Sequence, residues 1–259
     1  LEIERAVHDV RKRCKEVRAA ARLVRSALGD DFDAFNVVVR SAADELAPIR
    51  RVLKERKPHL AFNLLTHFHD AGIYDSAVVS WLELMKQFYT GCNPRGLLAA
   101  NDKALFKKVL AYHRIRAPRF FVAPRAKRLP RLPKGLRWPL FVKSRSEHAS
   151  TGISQASIVH DLDQLRTRVT YIHDTVGTGA LCEEYIEGRE FTVGVLGNKR
   201  IEVSPVWEIF MDELPSGVAN IATSRVKWDH AYQKKIGLRT GPAEVLKPGV
   251  EERITRTAR

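Results

Sequence analysis

Residues 181–197, Leu-Cys-Glu-Glu-Tyr-Ile-Glu-Gly-Arg-Glu-Phe-Thr-Val-Gly-Val-Leu-Gly, set two acidic clusters in strand-like surroundings. A second strand-like run about 40 residues earlier, Pro139-Leu-Phe-Val-Lys143, ends on a lysine. Strand side chains alternate faces, so Glu183 and Tyr185 share one face and, with positions past the turn at Gly188, can line a cleft with Lys143. A carboxylate accepts from an adenine amino group or ribose hydroxyls, and a lysine neutralises phosphate, so the chemistry of this set is that of a nucleotide site. Lys143, embedded in Leu-Phe-Val, must snorkel or find an anion.

Other nucleotide devices are excluded. No G-x-x-x-x-G-K-[ST] occurs, and Gly177-Thr-Gly179 precedes a strand where a dinucleotide fingerprint would precede a helix. The chain offers instead Asp102-Lys103-x3-Lys107, then Lys143, then the small-residue loop Glu147-His-Ala-Ser-Thr-Gly152, then Glu183 and Glu190. On position alone Lys103, Lys107 and Lys108 read as exposed helix charges, and Glu184 and Glu187 as solvent-facing. His67-Phe-His69 lacks the further ligands of a metal site.

The elements that must position these groups follow from periodicity. Ile3, Val7, Val10, Cys14, Val17, Ala21, Val24 and Leu28 predict a long amphipathic helix over 3–28 that packs on a sheet, although the same stripe fits a homodimer seam. A strand at Phe35–Val39, a helix at Ala43–Glu55 and a strand at His59–Leu65 imply a parallel sheet, followed by a helix at Asp75–Gln87 and a turn-rich exit over Phe88–Gly96. Asp102 opens a helix ending near Arg114, and Arg125–Gly135 is a Pro- and Lys/Arg-rich loop. Short strands at 139–144, 153–158, 180–186, 190–196 and 201–209, one helix at Asp161–Thr175 and a last helix from Pro248 complete an α+β pattern with a largely antiparallel sheet.

At 259 residues the chain can hold two or three lobes, and its 44% hydrophobic content argues against disorder. No run approaches the roughly 18 apolar residues of a membrane span, and the N-terminus has no signal-peptide core. Cys14, Cys92 and Cys182 form neither a disulfide framework nor a zinc pattern, so a cytoplasmic protein is expected. The net charge of +14 gathers in Arg11–Lys15, Arg50–Lys57 and Arg119–Lys134. Without interleaved aromatics or a helix-turn-helix, these runs read as solvated faces rather than as a nucleic-acid surface.

The ordered set resembles the ATP-grasp enzymes, specifically the D-alanine–D-alanine ligase branch, from about His59 onward. The marks are Tyr89-Thr-Gly-Cys, Asn101-Asp-Lys with Lys107, Pro139-Leu-Phe-Val-Lys-Ser with Glu147 and Gly152, and Glu183-Glu-Tyr-Ile-Glu-Gly-Arg-Glu-Phe-Thr-Val. The resemblance implies α/β and α+β architecture: an N-terminal preATP-grasp domain with a parallel sheet over 1–98, a central small domain over 99–179 and an incomplete C-terminal lobe over 180–259, the last two clamping ATP. It implies a ligase that phosphorylates a carboxylate with ATP and lets an amine attack the acyl phosphate. Magnesium, or manganese in its place, would serve as the metal, and the substrates would be amino acids or peptides. In the matching positions Lys107 and Lys143 would contact phosphates, and the backbone at Ser150 would cover them as a lid. Glu183 would accept from the adenine amino group, the Tyr185–Ile186 backbone would read the adenine edge, and Glu190 would take the ribose hydroxyls. Lys227 would reach the terminal phosphate. No metal ligands are assigned within the chain, because the family's carboxylates would lie after Arg259; the expectation is therefore a fragment.

Two departures bear on substrate. Ala149 stands where the branch has a serine that orients the first substrate, and Trp228 where it has a tyrosine, so two hydroxyl hydrogen bonds are lost. These favour an ATP-grasp ligase with other amino-acid or peptide substrates, and the missing metal carboxylates favour a non-catalytic nucleotide binder, as the rival readings. His148 in place of a glycine also restricts the lid backbone.

Overall fold

The computed structural model describes residues 46–65, 74–125 and 128–259. The expected helix over 3–28, the strand Phe35–Val39 and the His67/His69 pair lie outside them. The chain divides into two compact units, Leu1–Asn101 and Asp102–Arg259.

In the first unit, residues 46–56 form helix α1, consistent with the expected helix over Ala43–Glu55 where it is described. Helix α2, Asp75–Leu84, starts with an acidic residue against its N-terminal dipole and buries Val78, Val79, Trp81 and Leu82 on one side. The expected strand at His59–Leu65 is reduced to a single parallel bridge, Ala61 to Tyr89, in which the Ala61 amide donates to Phe88 O at 2.8 Å and the Thr90 amide to Ala61 O at 3.0 Å. The turn-rich exit is cut short by helix α3, Pro94–Asn101. Asn93 caps it by accepting from the Gly96 amide at 2.9 Å, with Pro94 at the first helical position. Asn-Pro signals a turn and a helix start equally well, so composition alone favoured the turn.

The second unit opens on helix α4, Lys103–Tyr112, capped by Asp102, whose carboxylate accepts from the Ala104 and Leu105 amides at 3.0 and 3.1 Å. Strands β1 Phe120–Ala123, β2 Leu140–Ser144, β3 Ile158–Val159 and β4 Ala180–Glu184 make an antiparallel sheet in the order β1-β4-β2-β3. Most of the predicted 153–158 strand is loop and the 3₁₀ turn Gln155–Ser157, because Ser154 and Ser157 close a reciprocal capping box. Helix α5, Leu162–Tyr171, runs on through a π-turn to Val176. Its Leu165 and Val169, with Ile172, pack on Leu140, Val142, Ala180 and Cys182 of the sheet. That leaves the opposite sheet face to β2 residues Phe141 and Lys143 and to Glu183. A boundary at Ala180 would cut this sheet through its inner strand, since β4 pairs with both β1 and β2.

Beyond β4 come the two-residue strands β5 Phe191–Thr192, β6 Val195–Leu196 and β7 Glu202–Val203, then the longer β8 Trp207–Met211. Helices α6 Ser224–Trp228 and α7 His230–Lys235 and strand β9 Leu238–Pro242 carry no clear periodicity and were missed in the sequence. They gather on Met211, Val226 and Ile236. Helix α8, Val250–Ala258, matches the expected terminal helix.

Candidate functional site

Strands β2 and β4 pair with Phe141 opposite Glu183, so alternation places Phe141, Lys143, Glu183 and Tyr185 along one surface. They line a cleft of about 670 Å³ whose walls also include Lys103, Ser150, Ile186, Glu190 and Lys227. Of the residues expected to bind the nucleotide, Lys107 alone is absent from its lining.

The floor of the cleft is a buried charge cluster. Glu183, 7% exposed, holds Lys143 Nζ at 2.5 Å on one oxygen and Lys107 Nζ at 2.7 Å on the other. Lys107 also donates to Pro118 O at 3.2 Å. Two ammonium groups on one carboxylate leave a net positive charge at the base of the cleft, which suits an anion.

Lys103 corrects the surface reading. The Asp102 cap fixes the start of α4, and first-turn side chains lean back toward that end. The ammonium of Lys103 therefore reaches the Glu147 carbonyl and lines the cleft. Burial, assisted by the nearby charge of Lys143, lowers its pKa to about 8. Asp102 also takes Arg145 Nε at 2.9 Å, and that guanidinium holds the Asp102 pKa down at about 2. Lys108 is exposed as expected. Glu184, read as solvent-facing, is buried: its carboxylate accepts from the Arg137 amide at 2.9 Å, and Arg137, by that bond above all, lowers its pKa.

The loop 147–152 forms the upper wall. Its start is fixed by Ser144 Oγ, which accepts from the Glu147 amide at 2.9 Å. Ala149 and Ser150 both adopt left-handed backbone, with φ 53° and 61°. Gly152, at φ 71°, is required twice over: a Cβ there would stand 2.7 Å from Val176 Cγ2. The buried guanidinium of Arg168 donates to the Gly152 carbonyl and, at 2.8 Å, to Ser157 Oγ. Across the cleft mouth the loop is stitched to residues 219–228. Ser150 Oγ donates to Ala222 O at 2.6 Å, Ser224 N to Ile153 O at 3.1 Å, and Trp228 Nε1 to Ala149 O at 3.3 Å. Gln155 and Ala219 exchange two bonds of 3.0 Å each. The two positions that depart from the branch, Ala149 and Trp228, thus touch each other.

At the far end, the Tyr185 amide donates to Pro139 O at 3.0 Å, and the Tyr185 ring lies 6.3 Å from that of Phe141. That leaves the Tyr185 carbonyl and Ile186 amide as the backbone edge groups. Glu190 follows on the exposed turn before β5. Arg145 and Arg189 are charged groups to which no sequence signal pointed, and Lys103 is one whose local pattern favoured the surface. Among the described residues, no three His, Cys, Asp or Glu side chains group to hold a metal ion, and no helix is long and apolar enough to cross a membrane.

This arrangement is that of an ATP-grasp fold. The chain aligns with D-alanine–D-alanine ligase from Bacillus anthracis, solved in complex with ATP, at a TM-score of 0.57 and 21% identity, over 81% of this chain and 60% of that one. The VanG D-Ala:D-Ser ligase of Enterococcus faecalis aligns at 0.55 and 24% identity, over 77% of this chain and 54% of that one. Residues 108–235 match the family model described as D-ala D-ala ligase C-terminus, so this part of the chain is D-alanine–D-alanine ligase-like. D-alanine–D-alanine ligase of Bordetella avium is 32% identical over 136 residues, which are 52% of this chain and 42% of that protein. The uncharacterized protein y4sG of Sinorhizobium fredii is 33% identical over 168 residues, 65% of this chain and 46% of that protein. The chain thus spans somewhat under half the length of these two relatives.

Proposed function

We propose that the protein containing this chain is an ADP-forming carboxylate–amine ligase that works through an acyl phosphate, with ATP held in the cleft of the second unit. The observation that carries this reading is the gathering of Lys103, Lys143 and Lys227 in the lining of one cleft that also holds Tyr185, Ile186 and Glu190. The cleft fits the nucleotide. Its volume suits a ligand of that size, its cations suit a polyphosphate, and Phe141, Ile153 and Ile221 give an apolar surface for a base.

In this reading Lys103 and Lys143 neutralise phosphates, Lys227 reaches the terminal one, and the loop at Ser150 closes over them. Lys107 acts at one remove, through Glu183. Glu183 orients Lys143 and offers an oxygen toward the base, the Tyr185–Ile186 backbone meets the adenine edge, and Glu190 takes the ribose hydroxyls. Cations convergent on a transferring phosphoryl group stabilise its charge, and water exclusion protects an acyl phosphate from hydrolysis. Magnesium or manganese belongs to this reading as the nucleotide's companion. The described residues offer no ligand cluster for it, so only the handling of the phosphates is assigned to them. The three-lobed division is retained, with the central domain extended through β4. A cytoplasmic location and amino-acid or peptide substrates accompany the reading.

A second reading keeps the chemistry and changes the substrate. The Trp228–Ala149 contact favours it, because an indole and a methyl stand where two hydroxyls would hydrogen-bond D-alanine. Phosphate release from Mg·ATP by the longest form of the protein, with D-alanine and then a panel of amino acids and short peptides, tests both. Stimulation by D-alanine alone supports the first, and stimulation by another acid or amine supports the second. No nucleotide binding at all would sink both.

A further inference from the structure

Arg189 stands next to Glu190 in the cleft wall, and its guanidinium is turned away from the cleft floor toward the strands behind. Nε and Nη2 grip the two carboxylate oxygens of Glu208 at 2.6 and 2.5 Å. Nη1 donates to the Val245 carbonyl at 3.1 Å, and Nη2 also reaches the Glu244 carbonyl. Glu208, on β8, is 4% exposed, and the Arg189 fork holds its carboxyl below the usual range. The same guanidinium lies 4.9 Å from the centre of the Phe191 ring. A bidentate pair of this kind fixes both the distance and the plane of the partners, which a lysine could not do.

Little else holds this turn. Strand β5 contributes only the pairs Phe191–Glu208 and Thr192–Trp207, and the Glu190 carbonyl accepts from the Ile209 amide at 3.3 Å. The side chain of Glu190 makes no hydrogen bond or ion pair among the described residues. Its direction is therefore set by the backbone on either side, and among the described residues Arg189 is the side chain whose hydrogen bonds tie this backbone to a buried anchor.

We propose that Arg189, through its fork on Glu208, is a positioning residue that sets the selectivity of the cleft for the sugar of its nucleotide. The inference rests on the reading in which Glu190 takes the ribose hydroxyls. It predicts a change in selectivity as well as in affinity, which separates it from a purely structural role. Losing Arg189 lets Glu190 drift, and ribose and dideoxyribose then become equivalent.

The test is binding of ATP and of 2′,3′-dideoxy-ATP to the full chain and to Arg189→Met, which keeps the apolar stem over Phe191. Wild type is expected to favour ATP by about tenfold or more, the scale of hydrogen bonds to a charged group. In Arg189→Met the preference is expected to fall to about twofold or less, while both nucleotides still bind. If that variant does not fold, Arg189→Lys carries the test, because it keeps the charge and loses the fork; the preference is expected to fall there too. A wild type that discriminates and variants that discriminate equally well would overturn the inference alone. A wild type that binds both nucleotides equally removes the ribose role of Glu190 and the inference with it, and one that binds neither removes the nucleotide reading as well.

Discussion

Lys143 and Glu183 meet at 2.5 Å on the cleft side of β2 and β4, and the second oxygen of Glu183 is held by Lys107 at 2.7 Å. Removing Lys107 leaves Glu183 paired with Lys143 but takes the partner from its other, buried oxygen. Lys107→Met is therefore expected to cost about 1–2 kcal/mol of stability, whereas exposed Lys108→Met should change it by less than about 0.5 kcal/mol. Urea unfolding of both variants checks this, and equal midpoints would refute a structural role for Lys107.

Lys103 should make nucleotide binding sensitive to mild alkali. Its folded pKa of about 8 lies below the ordinary 10.5, so between these values the unfolded chain binds more protons than the folded one. The burden of burying the charge is thus felt in full below pH 8, and stability from this group rises with pH between about 8 and 10.5. Affinity for a phosphate ligand runs the other way and falls as pH rises through 8, because the neutral amine no longer attracts it. Calorimetry in buffers of different ionisation enthalpy near pH 8.5 should show proton uptake on ATP binding by wild type and much less by Lys103→Met.

Strain in the 147–152 loop is testable at Ala149. A β-branched side chain tolerates its left-handed backbone poorly, so Ala149→Val is expected to lose about 1–2 kcal/mol, while Ala149→Gly should lose nothing. Thermal unfolding of the pair distinguishes strain from lost side-chain contact, since contact loss would penalise the glycine variant.

Trp228 tests the stitching of that loop. Its indole is 68% exposed, so Trp228→Phe removes the bond to the Ala149 carbonyl with little loss of buried area. Global stability should change by less than about 1 kcal/mol, whereas protease cleavage within 147–152 should accelerate. Unchanged cleavage would show that the Ser150 and Ser224 bonds suffice.

Asp102 joins a helix cap to an ion pair. Asp102→Ala should cost about 1 kcal/mol through the cap. The Arg145 bond first, and the cap bonds after it, hold the folded pKa at about 2 against 3.8, so the carboxylate's contribution is complete above about pH 4 and is lost as pH falls toward 2. Wild type and variant should therefore converge in stability in acid, which pH-dependent denaturation reads directly.

Local signals determined a good part of what was found. The Asp102 cap, the α5 helix, and strands β2 and β4 follow from patterns within ten or so residues, because caps and alternation are properties of neighbouring side chains. The cleft face of β2 and β4 was legible for the same reason: period 2 puts Glu183 and Tyr185 together, and a lysine among Leu, Phe and Val has to find an anion. The α6–α7–β9 region was not legible, since its short elements draw their stability from packing on Met211 and Ile236.

By itself, then, the sequence determined which residues share a strand face and which family motif they form, because both depend on short spacings along the chain. Only the tertiary structure decided that Lys107 and Lys143 divide one carboxylate, that Lys103 turns inward, and that Glu184 is buried. It also decided that Arg189 reaches Glu208 and that Trp228 reaches Ala149. Each of these is a pairing across 19 to 79 positions of chain or a burial created by one. The partner of a charge is chosen by where folded backbone brings it, and no local pattern encodes that distance.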